Sequence, residues 1–158
     1  MDPASILAAD FVVSMPKVKT HHLVGVTLSL KNMFGAIPGP VYGWPKNVLH
    51  WKGIDRSILD INSTVPAHFV IADGIVAMEG DGPLHGTARD LGRIVMSDDP
   101  VAADFTCARL MGFDPTASLT WRRPLSFSAM GMCSASTNWE RNCREPCARF
   151  RSYPSSLI

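Results

Sequence analysis

The sequence predicts an α/β fold, a layered sheet with flanking helices. Two observations carry this. The apolar runs "ADFVVSMPKV", "AHFVIADGIVAM" and "LGRIVMSD" have the Val, Ile and Phe content of strands. Between and after them lie segments with helical spacing and helical end signals. Strands alternating with helices argue for helices layered on a sheet, with ligands expected where strands end and loops begin.

"ADFVVSMPKV" reads as a buried strand stopped by Pro16, which has no N–H for a sheet ladder. "THHLVGVTLSLKNMFG" reads as a helix. Thr20 is its candidate N-cap, Leu23, Val26, Leu30 and Phe34 follow at helical spacing, and Gly35 is the stop, although Gly25 and the β-branched residues argue the other way. "AIPGPVYGWPKNVLHWKG" reads as a long loop. Tyr42, Trp44 and Trp51 give it the makings of an aromatic lid, or of a loop packed on its underside against the core.

"IDRSILDINSTV" places Ile54, Ile58 and Ile61 on one helical face with Arg56, Asp60 and Asn62 opposite. A second strand, the turn "DGIVAMEGDGPLHG" and a third strand follow. "DDPVAADFTCARLMG" then reads as a helix over about residues 100–111, with Asp99 as N-cap, Pro100 at the first helical position and Gly112 just past the end.

From Thr116 onward Lys, Asp and Val vanish while Ser, Arg, Cys and Trp accumulate. The expected division is therefore a partial α/β domain over residues 1–115 and an atypical segment over residues 116–158. That segment reads either as a disordered basic tail or as an out-of-frame continuation, and its Trp and Cys content favours the second.

The 158 residues suit one domain, and the 46% apolar content suffices for a core. The formal net charge of +1 provides no broad basic field for nucleic acid. No run approaches the roughly 20 apolar residues of a membrane span, and the N-terminus lacks the basic region of a secretion signal, so the expected location is cytoplasmic, with no membrane or nucleic-acid partner. The four cysteines have no metal-ligand spacing.

Several side chains could carry chemistry. Lys17, Lys19 and His21 lie between a strand and a predicted helix start, where cations beside backbone N–H groups suit phosphate or carboxylate. A solvated face explains the lysines equally well. Lys31 and Asn32 fall in the last turn of the predicted helix, either in the ligand set or placed there by the helix dipole. Asp73 and Glu79 could hold a divalent cation through oxygen ligands, and Glu79 could serve as a general base. Asp81 and His85 read as exposed loop. Asp104 lies in an apolar stripe with Val101, Ala108 and Met111, so it needs a cation or hydrogen-bond donors; Lys19 or Lys31 is the expected partner in a structural ion pair.

"ADFVVSMPKVKTHHLVGVTLSLKNMFGAIPG", "VIADGIVAMEGDGPLHG" and "SDDPVAADFTCARLMGFDP", in that order, resemble the family called domain of unknown function 362, over about residues 8–115. Members are usually longer at both ends, so the resemblance implies an internal fragment. Many carry ferredoxin-type [4Fe-4S] modules. This chain has no such cysteine run, so no cofactor is evident in it, and an iron–sulfur module enters as a partner. The resemblance supplies no reaction or catalytic residue. From the residues, the expectation is a domain binding a small anionic ligand as part of an enzyme, with Glu79 and His21 as the catalytic candidates. The alternatives are a non-catalytic binding module and a fragment without function.

Overall fold

The computed structural model describes residues 3–43 and 47–115. Its order is α1 (Pro3–Leu7), β1 (Val13–Ser14), β2 (Lys17–His21), β3 (Gly25–Thr27), α2 (Ser29–Asn32), a 3-10 turn (Met33–Ala36), α3 (Gly39–Tyr42), α4 (Asn47–Trp51), α5 (Ile54–Thr64), β4 (Phe69–Glu79), β5 (Thr87–Ser97) and α6 (Pro100–Leu110). The expected α/β class is what forms.

β4 is the centre of a mixed, open sheet. β1 and β2 pair with it in parallel, β3 extends the sheet antiparallel to β2, and β5 pairs antiparallel on the opposite side of β4. β1 ends at Ser14, just ahead of Pro16 as expected, and β2 resumes at Lys17 on the same line. Exposure alternates residue by residue from Val13 to Thr20, and the Pro16 carbonyl accepts from Asp73 N at 2.8 Å, so the ladder passes the proline on its acceptor side.

The helix expected from Thr20 to Gly35 forms only at its end. Thr20 and His21 finish β2, Gly25 turns the chain at φ +80°, and Val26 and Thr27 return as β3 before the single turn of α2. The β-branched residues and Gly25 outweigh the helical spacing. The expected loop after Ala36 contains α3 and α4. Tyr42 and Trp51 are exposed there, Trp51 at 80%, while Trp44 lies outside the described residues, as do Cys133, Cys143, Cys147 and all of 116–158.

The two longer helices follow the sequence closely. In α5, Ile58 and Ile61 are buried as expected, but Asn62 is not on the solvent face: its amide donates to Leu30 O and Ile58 O. In α6 the Asp99 side chain accepts from Val101 N and Ala102 N, and Phe113 N and Gly112 N close the far end on Ala108 O and Arg109 O with Gly112 at φ +78°. The core joins Val18, Val70 and Ala72 of the sheet to Leu28, Ile58, Cys107 and Met111. Burying each large side chain contributes about 2 kcal/mol. Burial pushes the Cys107 thiol up to about 12, and it packs as a small apolar group.

The strand expected over "AHFVIADGIVAM" forms as β4, with Asp73 inside it. β4 runs on through Gly74 to Glu79, because a side chain at Gly74 would meet Arg93 O and Leu91 at 3.0 Å and the glycine lets β5 close against it. The turn comes only at Gly80. Among the described residues, no helix is long and apolar enough to cross a membrane.

Candidate functional site

The Gly80–Gly86 turn folds back over the end of β2. Thr20 Oγ1 donates to Gly80 O at 2.9 Å, and His22 donates to Gly82 O through its backbone N at 3.1 Å and its ring Nδ1 at 3.0 Å. Two glycines make this fit possible. A Cβ on Gly82 would fall 2.1 Å from Thr20 O, and one on Gly86 would fall 2.5 Å from Glu79 O. Gly82 permits the close backbone approach of the two hairpins, and Gly86 the tight closure of its own hairpin.

This contact brings the expected basic and acidic segments together. Lys19 is the register partner of Met78, next to Glu79, which is buried at the end of β4. His21, 7% exposed, lies within the junction. Its Nδ1 accepts from Leu23 N at 3.1 Å, so the neutral ring carries its proton on Nε2, for which no hydrogen-bond partner occurs among the described residues. The His22 ring stacks on it at 4.9 Å.

Burial, then the positive charge of Lys31 and the neighbouring His22, His50 and Lys19, lower the His21 pKa to about 3. At neutral pH it is therefore an uncharged N–H donor ringed by basic groups. Phe34 binds the ring together: the Lys31 ammonium sits 4.0 Å from its centroid, and the His50 imidazole meets it edge-on at 5.3 Å.

α2 holds Lys31 in place, and Asp104 holds α2. Its carboxylate, 2% exposed, accepts from Ser29 N at 2.6 Å and Leu30 N at 3.0 Å. The stripe position was legible, and backbone N–H groups of a helix start supply two of the donors it calls for. Asn32 Nδ2 donates to Ser14 Oγ at 3.1 Å and ties the same turn to β1.

The other candidates are placed differently. Lys17, expected to bind an anion, and Asp73, expected to bind a cation, meet each other at 2.5 Å on the exposed side of the sheet. The hydrogen bond from Lys17, then that from Ile75 N, hold the Asp73 carboxyl below the usual carboxylate range. Each is the other's counter-ion. Among the described residues, no three His, Cys, Asp or Glu side chains gather as metal ligands. Asp81 and His85 are exposed. His50, distant in sequence, has no local signal that would single it out; the long-range packing of α4 on Phe34 brings it to His21.

The family model described as domain of unknown function (DUF362) matches residues 3–109. A thylakoid-associated protein of Synechocystis sp. is 34% identical over 110 residues, covering 68% of this chain and 34% of that protein. The chain thus spans about a third of the length of that curated relative. No solved structure matches. The resemblance carried by the strand, turn and helix blocks is thereby established: this chain belongs to the DUF362 family.

Proposed function

We propose that Lys19, His21, His22 and Lys31 at the end of β2 form a recess that binds a small anionic ligand, a phosphate or a carboxylate. The carrying observation is the grouping of basic side chains around a buried, neutral imidazole whose Nε2–H has no partner among the described residues. Like charges so grouped disfavour one another, and an anion among them reverses the sign of that interaction. The setting we propose is that of the family resemblance, in which such a binding region serves a protein with a ferredoxin-like iron–sulfur module.

Melting curves in inorganic phosphate and in a small dicarboxylate test this. A ligand specific for the native state raises the melting temperature as its concentration exceeds Kd. The expected result is a rise that shrinks in Lys19→Gln and in His21→Asn, with the His21 titration moving upward when the anion is added. No rise at millimolar anion, or a rise that neither substitution changes, rejects the reading. An enzymatic form is favoured by Glu79, buried beside the Gly80–Thr20 hydrogen bond. Binding without turnover would assign the site to a non-catalytic module.

A further inference from the structure

His21 and His22 stand side by side at the end of β2 in opposite tautomers. His21 Nδ1 accepts from Leu23 N, so its proton is on Nε2. His22 Nδ1 lies 3.0 Å from Gly82 O, and a carbonyl only accepts. That nitrogen therefore carries the proton, and Nε2 of the neutral His22 ring is a bare lone pair. The same carbonyl takes the His22 backbone N–H at 3.1 Å, which ties the residue to the turn twice. The two rings stack with centroids 4.9 Å apart and planes 18° from parallel. One oxyanion can reach both: its oxygen edge and two hydrogen bonds span about 8 Å, more than rings so stacked can separate their Nε2 atoms.

We propose that the site prefers hydrogen phosphate, an oxyanion that keeps one acidic proton, to sulfate, carboxylates and phosphate esters: an anionic oxygen accepts from His21 Nε2 while the P–OH donates to His22 Nε2. The preference rests on the anion site proposed above and names its ligand. Lys19 and Lys31, whose positive charges act on His21, attract any anion and cannot tell these ligands apart. The lone pair of His22 can. Sulfate matches hydrogen phosphate in shape and charge but brings no proton, so its oxygen would face that lone pair unpaired; an ionised carboxylate, or a phosphate monoester above its second ionisation, fails in the same way.

The test is titration calorimetry of the full chain at about pH 8 and constant ionic strength, with inorganic phosphate, sulfate and methyl phosphate as probes. The expected result is phosphate binding at least about tenfold tighter than either of the others. In His22→Phe, which keeps a stacking ring and loses the lone pair, the three probes should become alike through a loss of phosphate affinity alone. Where that variant does not fold, the imidazole nitrogen chemical shifts of the parent decide: a proton on Nδ1 of His22 supports the preference, and one on Nε2 overturns it. Sulfate or methyl phosphate binding as tightly as phosphate, and lost in Lys19→Gln, overturns the preference while the anion site stands. No binding of any probe rejects the anion site and the preference together.

Discussion

Asp104 and His21 are both titratable groups removed from water, and the fold treats them in opposite ways. Asp104 lies where α6 meets α2 and receives two backbone N–H donors. His21 lies where two hairpins meet, surrounded by basic groups, and remains without its second proton until about pH 3. Burial alone therefore does not set the state of a side chain. What surrounds it does: the first environment supplies donors to a carboxylate, and the second keeps an imidazole neutral among basic groups.

The largest expected effect breaks the first half of this contrast. Asp104→Ala leaves Ser29 N–H and Leu30 N–H buried without an acceptor, and is expected to cost about 3 kcal/mol in denaturant unfolding. Asp104→Asn keeps one carbonyl oxygen and should recover part of that loss. A variant as stable as the parent would show that α2 finds its donors' partners elsewhere.

A smaller effect sharpens the second half. Unfolded His21 takes up its proton near pH 6.5, whereas the folded chain resists it until about pH 3. Between these values the unfolded state binds more protons. The contribution is thus fully present above pH 6.5 and is lost as the pH falls toward about 3. Melting temperatures across this window should fall less steeply in His21→Asn than in the parent; parallel curves would remove His21 from the account.

The smallest effect concerns a carboxylate outside both environments. Lys17 and Asp73 pair on an exposed surface, where water and salt screen the attraction. Asp73→Asn and Lys17→Met should each leave the melting temperature nearly unchanged. They should also leave the phosphate-induced rise intact, which separates this pair from the recess. A lost response in Lys17→Met would return Lys17 to the ligand set.

Much of this was legible where the signal is local. Asp99, Pro100 and Gly112 announce α6, and Ile58 and Ile61 announce the buried face of α5. The sequence was misleading where tertiary pairing decides. Helical spacing from Leu23 to Phe34 could not show that Val26 would pair with Thr20 across a hairpin, and the strand pattern could not show that Asp73 would stand opposite Lys17. The candidate site was half legible. Lys19 pairs in register with Met78, next to Glu79, but His50 reaches His21 from α4 and Asp104 receives backbone N–H groups, partnerships with no signature in local spacing.

The reach of Asp104 across 75 residues has a dynamic consequence. Lys31 stands on a single helical turn, and an isolated turn that short has no persistence of its own. When α6 swings away, α2 loses the acceptor for its first N–H groups and Lys31 loses its support. The lifetime of the site is then the lifetime of the α6 contact, so a helix outside the recess acts as its clock.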